Sequence, residues 1–304
     1  MTRRTWLQAL APLPFGSVVL SGASAARAEK HVSPLIEPLP AGKSLFAPEN
    51  LMAWCIVPFD AKKRGPHERA EMLDRLDLRR LAYDWRDEHI PTFDTELDTL
   101  KRHGIRLDAF WFPSALNAQA RAILDVLKRH QLRTQLWVTM SDPAPQGTDR
   151  EKLAGAVRVL RPLAEAAAEI GCVLGLYNHG GWFGEPENEL RILDRLRVAN
   201  AGIVYNLHHG HAHLDRFGSL MDAMLPHLLA VNLNGMVRGG DAMGKKILPV
   251  GQGDEDLRLL REIRDSGYRG PIGVLNHQTD VDAEVGLRRN LEGLRRLLPA
   301  LGAV

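Results

Sequence analysis

The chain has 304 residues, of which 45% are hydrophobic, 25% charged and 6% aromatic, with a formal net charge of +2. This composition excludes disordered, collagen-like and disulfide-scaffold proteins, and the length allows one large core. A near-neutral chain without a basic block is a poor candidate for nucleic-acid binding, so we expect no nucleic-acid partner. We expect Cys55 and Cys172 to be buried small hydrophobes rather than disulfide partners, because both lie in or beside apolar runs.

The N-terminus has the order of an export signal. Arg3 and Arg4 precede an apolar stretch over residues 7–20, and small residues then lead to Ala26-Arg27-Ala28. This order predicts a cleavable signal peptide over residues 1–28, whose apolar stretch is too short for stable membrane insertion after cleavage. The paired arginines resemble a twin-arginine signal, which implies a periplasmic or otherwise exported protein. The alternative is an N-terminus retained in the cytoplasm.

A proline-containing segment over residues 29–48 is predicted to be a linker, and a regular alternation of strands and helices follows it. Each strand candidate is too apolar to be half-exposed, which favours a parallel sheet covered by helices. The predicted strands are Leu51 to Val57, Arg80 to Asp84, Leu107 to Phe112, Arg133 to Thr139, Val173 to Asn178, Ile203 to Leu207, Leu228 to Leu233 and Ile272 to Leu275.

Apolar stripes predict helices between these strands. One stripe runs through Leu160, Leu163 and Ala167, and another through Leu287 and Leu291, each with helical spacing. Such alternation is compatible with an open doubly wound sheet or a closed (β/α)8 barrel. The chain has no dinucleotide-binding glycine motif after an early strand, and eight units favour a single TIM barrel over residues 49–300.

Polar side chains gather at the carboxyl ends of the predicted strands, where the active site of such a barrel forms. The segment from Tyr177 through His179 to Glu185 contains paired glycines and Trp182, which suit a ligand-binding loop, although a tight turn would also use glycines. The predicted substrate-binding residues are Asp84, Arg86, Trp111, Tyr177, Asn178, Trp182, Asn206, His208, Asn232, Asn234, Lys246, Asn276 and His277.

From about residue 50 to 300 the chain resembles the xylose isomerase-like TIM barrels, a superfamily of sugar isomerases, epimerases and endonuclease IV. The resemblance implies divalent-metal ligands at four late-strand positions, and all four are uncharged here: Tyr177, Asn206, Asn232 and Asn276. His179 and His209 match the family's histidines. Mg²⁺ and Mn²⁺ require carboxylate oxygens, so the family's metal site is not carried over. Zinc held by histidines and a metal-free site both remain open, and the metal is unassigned.

The asparagines at four neighbouring strand ends suggest a neutral ring that binds hydroxyl groups, or alternatively an internal hydrogen-bond network. The first functional hypothesis is an exported sugar isomerase, epimerase or lyase that moves a proton next to a carbonyl. In it His179 and His209 act as acid and base and Glu185 is a further acid. The alternative is a catalytically inactive barrel that binds carbohydrate. Endonuclease IV-like hydrolysis is disfavoured, because the metal carboxylates and a basic surface are missing.

Overall fold

Eight strands alternate with eight major helices in the computed structural model, which describes residues 33–40 and 42–302. The strands are β1 Leu51–Trp54, β2 Arg80–Tyr83, β3 Arg106–Phe112, β4 Gln135–Val138, β5 Val173–Tyr177, β6 Ala201–Asn206, β7 Leu228–Leu233 and β8 Ile272–Leu275. The helices are α1 Pro66–Arg75, α2 Phe93–Arg102, α3 Ala118–Arg129, α4 Asp149–Glu169, α5 Pro186–Leu196, α6 Phe217–Met224, α7 Asp256–Asp265 and α8 Ala283–Leu301.

The strands form a closed parallel barrel in chain order. Each strand pairs with the next one along the chain, and β8 closes on β1 with Leu51 opposite Ile272 and Trp54 opposite Leu275. Closure leaves no exposed sheet edge and brings all eight carboxyl ends to one rim. The predicted (β/α)8 fold is therefore confirmed.

Burial explains why these short segments become strands and helices. Every residue of β1, β6, β7 and β8 is buried, as expected for strands covered by helices. The predicted helical stripes also face inward: Leu160, Leu163 and Ala167 are buried on α4, and Leu287 and Leu291 on α8. The fold thus follows from the apolar periodicity of the sequence.

Four strands are shorter than predicted, β1 and β4 by three residues each and β2 and β5 by one. The prediction carried β1 to Val57, but the strand ends at Trp54 because Cys55 adopts a left-handed backbone with φ of 52°. The prediction for β4 began at Arg133, whereas pairing begins at Gln135. The strand ends are therefore wrong by a few residues although the strands themselves are right.

The described part of the predicted linker lies against the barrel. Leu45 and Phe46 are buried in the core, and the Leu45 carbonyl accepts a hydrogen bond of 2.8 Å from the Asn50 amide. The predicted signal peptide lies outside the described residues, so the export hypothesis stays a prediction. Cys55 and Cys172 are both buried and unpaired, which confirms their interpretation as small hydrophobes. Among the described helices, none combines the length and apolarity needed to cross a bilayer.

Candidate active site

A cavity of about 120 Å³ opens at the carboxyl ends of the strands, and we call it the inner cavity. Its walls come from β1, β3 and β5 and from the loops after five of the strands, so they meet at the rim where TIM barrels place their active sites. The lining residues are Trp54, Cys55, Phe59, Asp84, Arg86, Trp111, Tyr177, His179, His209 and His277.

Aromatic rings form one wall of the inner cavity. The Trp54 ring meets Trp137 edge-on at 4.8 Å between centroids, and Trp111 meets Tyr177 edge-on at 5.1 Å. Trp54 and Tyr177 are buried, while Trp111 is half-buried. Edge-to-face packing holds each ring in place, so this wall is a rigid apolar surface of the kind that packs against a sugar ring.

The Tyr177 hydroxyl is held by two donors. Trp54 Nε1 donates to it at 3.2 Å, and Asn206 Nδ2 donates through a short hydrogen bond. These two bonds occupy the acceptor positions of the phenol oxygen, and the hydroxyl hydrogen meets no acceptor among the described residues. Burial raises the pKa of Tyr177 well above its usual range, so the side chain remains a neutral donor near pH 7.

Four histidine rings cluster beside Tyr177. The His208 and His209 ring centroids lie 3.7 Å apart, those of His179 and His209 4.4 Å apart, and those of His208 and His277 4.8 Å apart. Burial is the main cause that lowers the pKa of His209 to about 2 and that of His277 to about 4. The pKa values of His179 and His208 are also lowered, first by burial. All four imidazoles are therefore neutral near pH 7.

Hydrogen bonds fix the tautomer of His208. Its Nδ1 lies 2.8 Å from Asn206 Oδ1, which can only accept, so Nδ1 carries the proton. Within the described structure, the buried Nε2 atoms of His208 and His209 have no hydrogen-bond partner. Orphaned buried nitrogens beside a cavity indicate groups held ready for a ligand.

Asp84 is the one carboxylate among the lining residues of the inner cavity. The residue is 2% exposed, and its Oδ1 accepts a hydrogen bond of 3.2 Å from the Val57 amide. Its buried Oδ2 has no partner among the described residues. Burial raises the pKa of Asp84 to about 6, and the nearby Arg86 guanidinium opposes part of that rise. Such a carboxyl group can accept or release a proton near neutral pH.

Sequence reasoning missed three lining residues, Trp54, Cys55 and Phe59. The sequence prediction placed Trp54 and Cys55 inside a longer first strand, where both side chains would have been buried in the core. His277, which follows β8 where the barrel closes on β1, also has a left-handed backbone, with φ of 50°. Its Nδ1 lies 3.3 Å from Cys55 Sγ. Two non-glycine residues in this conformation beside one cavity are a mark of a functional site that sequence alone does not reveal.

The predicted asparagine ring divides into different roles. Asn178 exchanges hydrogen bonds with the backbone of Asn206, and Asn234 donates 2.8 Å to the Lys246 carbonyl. The side-chain amide of Asn276 donates to the backbone carbonyls of Phe59 and Gln278. Asn232 is buried, and neither of its side-chain atoms has a partner in the described chain. Contact of these amides with a sugar stays a prediction, and none of them lines the inner cavity.

Four other predicted site residues lie away from the cavity lining. Glu185 precedes α5 and accepts hydrogen bonds from Arg216 and, at 3.2 Å, from the His213 ring. Trp182 Nε1 donates 3.2 Å to Asp149, and Lys246 forms an ion pair of 3.3 Å with Asp241. His208 lies behind His209 rather than on the wall. By contrast, Asp84, Arg86, Trp111, Tyr177, His179, His209 and His277 all reach the inner cavity.

The residues present do not fit the divalent metal that the family resemblance implies. Hard cations need several carboxylate oxygens, and the matching positions hold a phenol and three amides. Across residues 33–40 and 42–302 no group of three or more His, Cys, Asp or Glu side chains is arranged to hold a metal ion. The orphaned Nε2 atoms of His208 and His209 therefore belong to a cluster without metal-site geometry among the described residues.

Comparison with known proteins agrees with this architecture. The family model described as xylose isomerase-like TIM barrel matches residues 70–297. A search of curated protein sequences finds no match.

Similar solved structures include the IOLI protein with a bound zinc atom, at 13% identity and TM-score 0.65, covering 84% of this chain and 100% of that one. D-allulose 3-epimerase from Methylomonas in complex with D-allulose is 15% identical with TM-score 0.64, covering 88% and 99%. The 3-keto-D-glucoside 4-epimerase of E. coli is 13% identical with TM-score 0.60, covering 83% and 99%. At these identities the likeness establishes the fold.

Proposed function

Because the chain belongs to the xylose isomerase-like TIM barrel family, we propose that it is a carbohydrate isomerase or epimerase that moves a proton at the carbon next to a carbonyl. The observation that carries this proposal is one small cavity holding a carboxyl group with a pKa of about 6, a phenol donor and neutral imidazoles. The epimerases among the similar structures support it.

Asp84 is the base in this proposal. A base works best when its pKa lies near the working pH. Burial raises the pKa of Asp84 to about 6, which is close to neutral pH. His209, whose pKa burial lowers to about 2, is a much weaker base. The role of removing the proton therefore passes from the histidines to Asp84, and the unpartnered Oδ2 is the atom that receives it.

The neutral groups stabilise the charge that forms on the substrate oxygen. When Asp84 removes the proton, electrons move to the carbonyl oxygen and produce an enediolate. The Tyr177 hydroxyl, whose acceptor positions are already filled, donates to that oxygen. His179 and His209, as neutral imidazoles, hydrogen-bond the adjacent hydroxyl and carry its proton between the two oxygens. Asp84 then returns its proton to the neighbouring carbon.

The different basicities of Asp84 and His209 favour isomerisation over epimerisation. Asp84 follows β2 and His209 follows β6, four strands away in an eight-stranded barrel, so the two groups approach a ligand from opposite sides. Epimerisation at one carbon needs proton transfer on both faces, whereas the neutral histidines leave only Asp84 poised as a base. A single base that works on one face moves a proton between adjacent carbons.

The test is hydrogen exchange. Purified protein is incubated in D₂O with a panel of aldoses and ketoses, and deuterium at the carbon next to the carbonyl is followed by NMR. We expect exchange with at least one sugar, accompanied by aldose–ketose interconversion. Replacing His179 and His209 together by Ala is expected to slow turnover by about 10²-fold or more. Unchanged turnover in that double variant would remove the imidazoles from the mechanism.

A second candidate is a barrel that binds carbohydrate without turnover. It is favoured by the uncharged residues Tyr177, Asn206, Asn232 and Asn276 at the positions where the family resemblance implies metal ligands. Saturable sugar binding without any deuterium exchange would establish it in place of the isomerase.

We also propose that the protein is exported through the twin-arginine route. The order of Arg3 and Arg4, apolar stretch and Ala26-Arg27-Ala28 supports this. Fractionation of cells that express the full chain is expected to place the processed protein in the periplasm, and R3K/R4K is expected to retain it in the cytoplasm. Equal distribution of the two forms would contradict the proposal.

A further inference from the structure

A second cleft adjoins the inner cavity, and we call it the outer cleft. It has a volume of about 510 Å³ and lies between the loops that follow β2 and β3. It shares Arg86 and Trp111 with the inner cavity. The inner cavity, at about 120 Å³, is smaller than ordinary ligand sites, whereas the outer cleft falls within their range. The two spaces are therefore adjacent, and the side chains of Arg86 and Trp111 border both of them.

Hydrogen bonds make the wall between the two spaces rigid. Trp85 is buried, and its Nε1 donates 2.7 Å to the Trp111 carbonyl. Arg86 Nη1 donates to the carbonyls of Asp84 and Trp85 at 2.8 and 2.7 Å, and the guanidinium lies 5.6 Å from the Phe59 ring centroid. Arg86 forms no ion pair with any described carboxylate, so its remaining donors are available to a ligand.

The chemistry of the outer cleft suits a neutral polyhydroxyl ligand. Asp87 and Glu88 are exposed, and neither forms an ion pair with a described residue. Asn117 and Gln119 add two side-chain amides, and Trp111 adds part of a half-buried indole. Carboxylates and amides bind adjacent hydroxyl groups, and an indole covers the apolar face of a sugar ring. Two carboxylates against a single guanidinium oppose a phosphate or another anionic ligand.

We propose that the outer cleft is a subsite for a second sugar ring, so that the substrate is a glycoside. Its reacting unit enters the inner cavity beside Asp84, and the attached sugar lies in the outer cleft against Trp111. This inference rests on the proposed carbohydrate activity and deepens it. Binding of the attached ring positions the reacting unit, because contacts remote from the chemistry help to orient it.

The test compares matched probes. D-fructose is compared with turanose, maltulose and isomaltulose, which carry glucose on O3, O4 and O6 of fructose, and D-glucose with maltose and cellobiose. For each sugar, calorimetry gives Kd and NMR in D₂O gives kcat/KM for exchange next to the carbonyl. We expect at least one disaccharide to exceed its parent monosaccharide by tenfold or more in affinity and in kcat/KM. Equal values within twofold across both series overturn the inference.

Substitutions at Gln119 test whether the expected preference for disaccharides arises in the outer cleft. Gln119→Trp adds bulk to the outer cleft and is expected to reduce the disaccharide-to-monosaccharide ratio to about one, while Gln119→Ala is expected to reduce it severalfold. Gln146→Trp makes the same change at an exposed position outside both cavities and is expected to leave the ratio unchanged. A ratio that survives both changes at Gln119 overturns the subsite.

The two proposals fail separately. If no sugar exchanges deuterium but a disaccharide binds tenfold more tightly than its parent and Gln119→Trp abolishes that gain, the isomerase proposal fails and the subsite stands. If fructose or glucose exchanges deuterium and no disaccharide is favoured, the isomerase stands and the subsite is overturned. Absence of both binding and exchange across the panel overturns both.

Discussion

Two buried aspartates on neighbouring strands show how differently the two ends of the barrel are built. Asp108 on β3 lies towards the amino-terminal end, where its carboxylate oxygens bond Arg80 and Arg106. Asp84 follows β2 at the opposite end, where Oδ1 accepts one backbone hydrogen bond and Oδ2 has no partner in the described structure. Their exposed fractions are 5% and 2%, so burial does not distinguish them.

The two aspartates differ in how far neighbouring groups neutralise and hydrogen-bond their carboxylates. At the amino-terminal end Arg80 also donates 2.8 Å to Asn50, and Arg106 pairs with Glu37 at 3.0 Å, so the buried charges there are neutralised and hydrogen-bonded. Around Asp84 the imidazoles are neutral and several buried polar atoms lack partners. Unsatisfied polar groups lower stability, and proteins tolerate them where a ligand completes the bonding. The polar groups around Asp108 are therefore compensated, whereas those around the proposed active site keep unpaired buried atoms.

The largest expected effect is loss of activity in Asp84→Asn. The amide preserves size but cannot accept a proton, so kcat/KM for exchange next to the carbonyl should fall by about 10²–10⁴-fold. Steady-state NMR assays of Asp84→Asn and of the unmodified protein measure this fall in kcat/KM. The matched control is Asp108→Asn, whose folded fraction should keep its activity. A loss of similar size in both variants would break the distinction between the two ends.

Tyr177→Phe should have the next largest effect. Removing one preorganised donor to a developing oxyanion costs about 10²–10³-fold in kcat. The loss should appear in kcat with little change in KM, because the donor acts mainly on the charged intermediate. A raised KM with an unchanged kcat would mean that Tyr177 contributes only to binding.

Asp108→Asn should lower stability by about 3 kcal/mol, because it leaves the partly buried Arg80 beside an uncharged partner. Urea unfolding at pH 8, followed by circular dichroism, measures the change in the free energy of unfolding. A variant within about 0.5 kcal/mol of the unmodified protein would show that this network contributes little.

Asp84→Asn should change stability in the opposite direction. The folded-state pKa of Asp84 is raised from 3.8 to about 6, so the folded state binds the proton more tightly and stability falls as pH rises between those values. Asparagine does not titrate, and the variant should be more stable by about 1–3 kcal/mol at pH 8. The gain should vanish near pH 3.8. Destabilisation at pH 8 would contradict the account of an uncompensated carboxylate.

The sequence predicted much of the fold for a clear physical reason. Fully buried strands such as Leu228–Leu233 are apolar throughout, and the stripe on α4 has helical spacing, so both signals are local. The end of β1 was missed because the turn depends on Cys55, a residue that rarely adopts a left-handed backbone. Nothing in its neighbours indicates that conformation.

The candidate site was predicted less completely, because partners come from distant parts of the chain. The strand-end rule correctly brought Asp84, Tyr177 and His209 together at one rim. It could not tell that Glu185 bonds Arg216 outside the cavity, or that Asn178 bonds the backbone of β6. Nor could it reveal that burial raises the pKa of Asp84 and lowers that of His209. Those properties depend on packing, and the proposed role of Asp84 as the base rests on them.

The most direct test of that role is the pH dependence of exchange next to the carbonyl. With a sugar that the protein turns over, log kcat/KM should rise by about one per pH unit below pH 6 and level off above it, since Asp84 must be deprotonated to act. Asp84→Asn should show a small rate without this break. A wild-type profile that is flat through pH 6, or a break that survives in Asp84→Asn, would contradict the assignment of Asp84 as the base.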